Sequence, residues 1–392
     1  MNMLTKTMPW AVASFLAMSP AFGNNQKTKQ DTCQPAKPVV CGTPQNPQMP
    51  TIAAYNAPAE IYVGMQGDCD FFATANFLYW QPIQDNMGAG VVANQPLAVL
   101  GVPIGQGTVV NMDFDYKPGF KVGLGVNFHR DDWVGYAEYT RIHGEHHVSA
   151  SSASTDPRIY AMRGHPFQLA NLGQVFSDMH SSYGCNLDLV DGQMERVYYV
   201  GQKLIFHSSV GMRGAWILQR WHNDYNGTLA TSGLAASAIN GEMNVYERSH
   251  SWAVGPRGGL KLDWMFTKGF RFYGNGFADI LYTKYKVQTK SVVVTRQAIP
   301  GILAPGQSST LTLTNKAPAV RAHADFELGL GWGSYFRNNR WHVDFAVGYD
   351  FQVFFNQDVF THFEDSAALA ISSYAFSNLY MQGLNVSARL DF

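Results

Sequence analysis

The 392 residues include 28 Lys and Arg against 29 Asp and Glu, a net charge of −1, and nothing in that balance points to nucleic acid or to an anionic membrane surface. Only 15% of residues are charged, 14% are aromatic and 37 are glycine, yet mean hydropathy is −0.15. No apolar run beyond the N-terminus approaches the ~20 residues of a membrane helix, so strands that interleave apolar with small polar residues are the remaining way to cross a bilayer.

Residues 1–23 read as a secretory signal. Lys6 leads an apolar core from Met8 to Met18, and Ala21 and Gly23 are small residues before a cut at Asn24. The chain is therefore expected to be exported, into a space that permits disulfides. Residues 24–67 carry Pro35, Pro38, Pro44, Pro47, Pro50 and Pro58 among polar residues. Such a stretch buries too little apolar surface to order itself and is expected to be an extended or disordered periplasmic lead. Cys33 and Cys41 within it are the disulfide candidates.

From residue 68 onward a period of two recurs. The first predicted strand is Phe71–Trp80, with Thr74 and Asn76 on its polar face. The second sets Phe120, Val122, Leu124 and Phe128 against Lys121, Gly123, Gly125 and Asn127, and the third runs from Trp133 with Glu138 and Thr140 on one face. A fourth lies within 186–200. The fifth, 204–220, opposes Val210, Met212 and Trp216 to Ser209, Arg213 and Gln219. The sixth, 252–264, opposes Val254, Leu260 and Leu262 to Arg257, Lys261 and Asp263, and Pro256 predicts a bulge in it. The seventh, 270–285, carries Arg271, Asn275 and Asp279 on one side. The eighth and ninth, 321–335 and 341–354, set aromatic and aliphatic residues against Asp325, Glu327, Asp344 and Asp350. The tenth ends the chain, alternating Leu384, Val386, Ala388, Leu390 and Phe392 with Asn385, Ser387, Arg389 and Asp391.

The connections sort by length. Residues 130–132, 201–203, 265–269 and 336–340 are short gaps, whereas 81–117, 144–185, 221–251, 286–320 and 355–379 are long. Short and long connections alternate, as periplasmic turns and extracellular loops do in an outer-membrane barrel. The expected fold is an all-β, transmembrane, up-and-down antiparallel barrel of about ten strands. The β-branched segments 286–295 and 310–314 leave room for twelve or more. Tyr79, Trp133, Trp216, Trp264, Trp332 and Trp341 are expected to form aromatic girdles at the headgroups.

Several segments resemble the Legionella-type major outer membrane protein family, a pore-forming group also found in chlamydia-like bacteria. They are FFATANFLYWQP (71–82), YKPGFKVGLGVNFHRDDWVGYAEYTRIHG (116–144), VGMRGAWILQRWH (210–222), VGPRGGLKLDW (254–264), ELGLGWG (327–333) and GLNVSARLDF (383–392). The resemblance implies an outer-membrane barrel with porin activity. It supplies no catalytic residues, and the Pro-rich lead is a departure from it.

Charges facing lipid at mid-depth cost about 2–4 kcal/mol each for Arg or Lys, so they must point inward. The predicted pore-lining set is Lys121, Glu138, Arg213, Arg257, Lys261, Arg271, Asp279, Asp325, Glu327, Asp344, Asp350 and Arg389, joined by Asp263 and Asp391 on the same faces. These charges either line a water path for small hydrophilic solutes or ions, or pair and knit the interior shut, leaving a structural or adhesive surface barrel with little conductance. Ten strands lie near the limit at which side chains fill the interior.

Two clusters raise other chemistry. His143, His146 and His147 are a candidate metal site. His222 and Asp224, with His362, Glu364 and Asp365, resemble acid–histidine pairs above an omptin-type protease barrel. Neither has a motif with fixed spacing, and no enzyme activity, metal or cofactor is expected. The expected partners are outer-membrane lipid, the barrel assembly machinery reading Phe392 as a terminal signal, small solutes, and another envelope protein reached through Cys69. Cys69 and Cys185 fall at opposite membrane faces and are not expected to pair.

Overall fold

The computed structural model describes residues 69–93, 106–128, 133–153, 158–163, 175–200, 203–230, 238–267, 269–295, 306, 308–336, 341–360, 362–363, 372–373 and 376–392. Residues 1–68, which hold the expected signal, the Pro-rich stretch, Cys33 and Cys41, lie outside them.

The described residues form sixteen strands. In chain order they are β1 (Cys69–Gln84), β2 (Gly88–Ala93), β3 (Gly107–Asn111), β4 (Lys117–Phe128), β5 (Trp133–Ser151), β6 (Ile159–Ala161), β7 (Val175–Phe176) and β8 (Asp178–Val200). There follow β9 (Leu204–Ala230), β10 (Ala238–Thr267), β11 (Phe270–Thr295), β12 (Ser308–Phe336), β13 (Trp341–Asp358), β14 (His362–Phe363), β15 (Ser372–Ser373) and β16 (Ser377–Asp391). Ten of them close a barrel in the order β1-β16-β13-β12-β11-β10-β9-β8-β5-β4, every pair antiparallel. The seam joins the two ends of the chain's barrel region. Phe71 N–H donates to Phe392 O at 3.1 Å, and Phe392 N–H donates to Phe71 O at 2.9 Å.

Within the band between the aromatic girdles each strand turns its apolar residues outward. Phe77, Leu124, Val210, Met212, Leu260, Ile280, Leu328 and Val347 are all exposed, as side chains that meet lipid must be. Tyr79, Trp216, Trp264, Trp332 and Trp341 also face outward, and Trp341 lies against Phe392 with ring centroids 6.0 Å apart. Inward glycines make room for large neighbours: a Cβ at Gly125 would overlap the ring of Phe72, and one at Gly123 the phenol of Tyr136.

Three expectations need correction. Residues 221–251 and 286–320 are mostly strand rather than loop, because β9, β10, β11 and β12 run for 27, 30, 26 and 29 residues. A bilayer needs only about 9–11, so these hairpins rise well past the lipid on the outer side. Segments 286–295 and 310–314 accordingly lengthen β11 and β12 and add no barrel strand. Pro256 makes no bulge: the β9–β10 register is continuous through Pro256↔Met212, and the β10–β11 register resumes unshifted at Arg257↔Asp279. Beside the proline the backbones of β10 and β11 approach closely, and a Cβ at Gly255 would overlap the Ile280 carbonyl. The irregularity lies instead at Met265/Thr267, beside the turn.

Above the outer girdle the alternation keeps its period and reverses its phase. On β9, Val210, Met212 and Trp216 face out, but farther along Arg220, His222 and Asp224 do, while Ile217, Trp221 and Tyr225 are buried. The outside solvent has changed from lipid to water, so the apolar face moves inside. A four-stranded sheet, β3-β2-β6-β7, packs Ala89, Ile159 and Phe176 into this apolar interior. Tyr225 donates its hydroxyl to the Ala89 carbonyl, and its ring meets Phe176 at 5.3 Å.

Candidate functional site: the charged interior

All the sequence-predicted interior residues turn inward, and most converge on a chamber of about 220 Å³ at membrane depth. Strand pairing explains the convergence. Asp191, Arg213 and Gly255 share one row across β8, β9 and β10, and Arg257, Asp279 and His323 share another across β10, β11 and β12.

Arg213 is the hub. Its Nε and Nη2 each donate at 2.6 Å to the two oxygens of Asp191, Nη1 lies 3.3 Å from Asp279, and Nη2 lies 3.2 Å from Asp325. Arg257 joins the same two acids, at 3.0 Å to Asp279 and 2.7 Å to Asp325. Asp279, His323 and Asp325 have the spacing of a metal cluster, with ligand atoms within 4.8 Å of one another. Two guanidinium groups already neutralise those carboxylates, so the arrangement fits an ion-pair network better than a metal site.

The other charges pair in the same way. Lys121 reaches across the lumen to Asp350 at 2.8 Å. Arg271 bridges Asp263 at 2.8 Å and Asp344 at 2.9 Å, and Lys261 pairs with Glu195. Arg389 and His342 both hold Asp391, at 2.7 and 2.9 Å. Glu138 accepts from Tyr136 at 2.7 Å, and Glu327 accepts from Tyr273 and Asn385 at 2.7 and 2.9 Å. His207, on the polar face of the fifth predicted strand, turns inward as expected, whereas Asp191 and Glu195 are missed because the sequence assigns no face to the fourth strand. The exposed Val190, Met194 and Tyr198 are the signal that puts Asp191, Gln193 and Glu195 inside.

On the outer side the chamber meets a wholly buried apolar layer. Leu78, Trp80, Leu187, Leu189, Ala215, Ile217 and Leu281 come from β1, β8, β9 and β11 and are at most 3% exposed. Lys121 Nζ sits 4.9 Å from the Trp80 ring centroid, at the boundary between the two environments. A smaller apolar cluster of Phe72, Val134, Val197, Ile205 and Met265 lies toward the turn end.

The three histidines of β5 do not assemble. Alternation along β5 points His146 inward, where its Nδ1 accepts from Asp115 N–H at 3.0 Å. Burial pulls its pKa down to about 4. His143 and His147 point outward, His143 to Asp188 at 3.2 Å and His147 onto the ring of His180. His222 and Asp224 do pair, at 2.7 Å, on the outside of β9. Glu364, Asp365 and the side chain of His362 lie outside the described residues, as does the side chain of Cys69. Cys185 is a buried free thiol.

Among solved structures the chain is similar to the outer membrane protease OmpT of Escherichia coli, at 10% identity over 82% of this chain and 96% of that one, TM-score 0.36. It is also similar to a Pseudomonas aeruginosa FadL homologue, at 9% identity over 83% and 90%, TM-score 0.27. The P. putida toluene transporter TodX gives 8% identity over 86% and 95%, TM-score 0.23. At these scores none carries an argument, and no curated protein matches. Residues 68–392 match the family described as Legionella pneumophila major outer membrane protein precursor, and the chain therefore belongs to that family of bacterial outer-membrane β-barrels.

Proposed function

We propose that the protein is a narrow outer-membrane pore, closed at rest, that passes small hydrophilic solutes and favours cations when it opens. The charged chamber carries this reading. Six cationic and eight carboxylate side chains line it at membrane depth. Ionisable groups inside a membrane are costly and by default mark a path for ions or polar solutes. The excess of carboxylates favours cations. The closed state follows from the apolar layer, since hydrophobic constrictions gate by dewetting. The reading gives no side chain a catalytic role.

The apolar layer also favours a second reading, a structural or adhesive surface barrel with little conductance. Reversal potentials in a KCl gradient separate the two. Glu138 and Glu327 accept hydrogen bonds from neutral donors, so Glu138→Gln/Glu327→Gln removes charge without breaking an ion pair. Under the pore reading, openings of the unmodified protein are cation-selective and those of the double variant less so. Identical reversal potentials, or no openings in folded protein of either kind, favour the structural barrel.

A further inference from the structure

We propose that the outward face of β10–β12, just above the outer aromatic girdle, is a binding site for the phosphate groups of a phosphorylated glycolipid in the outer leaflet. The proposal rests on membership of an outer-membrane family and is independent of conductance. Trp216 and Trp252 sit side by side in the β9–β10 register, and with Tyr282 they mark the boundary between acyl chains and headgroups. Immediately above them the outward residues become cationic. One cross-strand row holds His250, Lys286 and Lys316, and the next holds Arg220 and Arg248.

Like charges therefore stand directly opposite each other twice, at Lys286↔Lys316 and at Arg220↔Arg248. Directly opposed like charges destabilise a sheet. No ion pair among the described residues relieves Lys284, Lys286 or Lys316. Asp224, the acid on the same face of β9, already holds His222. The surface is also shaped: His250, Trp252, Lys284, Lys286, Lys316 and Pro318 border a groove of about 420 Å³. Its lower wall is apolar, and Lys284 Nζ lies over the rings of Trp252 and Tyr282, at 5.3 and 5.9 Å from their centroids. An amphiphile with acyl chains along the strands below and phosphates at this height fits both halves of the groove. A free anion would use only one. The positive charge is local, which is why a net charge of −1 concealed it.

The test uses full-length protein refolded in non-ionic detergent and titrated with diphosphorylated lipid A, with the same lipid after phosphatase treatment, and with inorganic phosphate. Thermal unfolding is followed by heat-modifiable migration, and bound lipid by native mass spectrometry. The variants are Lys286→Gln/Lys316→Gln and, as a control at the opposite end of the barrel, Lys203→Gln. Diphosphorylated lipid is expected to raise the unfolding temperature of the unmodified and control proteins, and the double variant is expected to need at least tenfold more lipid. Without lipid the double variant is expected to be no less stable than the unmodified protein, because opposed charges have been removed. Equal lipid dependence in the double variant, an equal effect of the dephosphorylated lipid, or a full shift with inorganic phosphate at the same concentration overturns the proposal.

Discussion

Arg213 and Asp191 face each other across adjacent strands and share a two-point ion pair, with both N–O distances at 2.6 Å and both side chains buried at membrane depth. Arg213 also holds Asp279 and Asp325. Its removal leaves three acids short of a partner in a low-dielectric interior. Arg213→Leu is expected to destabilise the barrel by about 3–5 kcal/mol, the cost of stranding a buried charge. Arg213→Leu/Asp191→Leu is expected to recover part of that loss. Urea unfolding of refolded protein measures both, and a double variant no better than the single one contradicts the pairing argument.

The seam between β1 and β16 gives the second prediction. Phe392 exchanges backbone hydrogen bonds with Phe71 and packs its ring near Trp341. Deleting Phe392 is expected to lower the amount of heat-modifiable barrel in the outer membrane several-fold. Phe392→Ser keeps the backbone pairing and loses the ring contact, and is expected to cost about 1 kcal/mol. Normal levels of the deletion variant contradict the role assigned to the terminus.

A pH dependence follows from the groups beneath the small outer sheet. Glu247 lies on the part of β10 above the girdle, 2% exposed, with Arg163 3.5 Å away but without a good hydrogen bond to its Oε2. Burial outweighs that cation and pushes its pKa up to about 7, and burial likewise raises Asp358 to about 6. Both folded values exceed the unfolded ones, so the stabilisation is complete below about pH 4 and is lost as the pH rises through 7. The segment Ile159–Arg163 is expected to be better protected from amide exchange at pH 5 than at pH 8, by about 2 kcal/mol. Glu247→Gln should flatten most of that dependence, and the opposite slope refutes the assignment.

Cys185 serves as a reporter of the interior. It is 2% exposed, and burial pushes its thiol up to about 12. Maleimide or disulfide reagents at pH 8 are expected to label it only after unfolding. Labelling of folded protein at the rate of a free thiol contradicts the packing above the chamber.

The barrel was legible because lipid on one side and a polar lumen on the other write a strict alternation, from Phe120–Phe128 to Leu384–Phe392. The interior charges were legible for the same reason, since Arg213 and Asp279 have nowhere else to point. The upper halves of β8–β12 were not, because a search for apolar residues facing out misses strands on which Trp221, Tyr225, Met243 and Val245 face in. The small outer sheet escaped as well. Its strands, such as Ile159–Ala161, are too short to show a period. The pairing that turns single charges into a network depends on cross-lumen partners such as Lys121 and Asp350, 229 positions apart, and no local pattern encodes that.

Single-channel current across a planar bilayer tests most directly whether an apolar layer seals a charged chamber. The unmodified protein is expected to be silent for most of the record, with brief openings. Leu189→Ser/Ile217→Ser, which puts hydroxyls into the layer directly above Arg213 and Asp191, is expected to give frequent, sustained openings. A steady open current from the unmodified protein, unchanged in the folded double variant, contradicts the account.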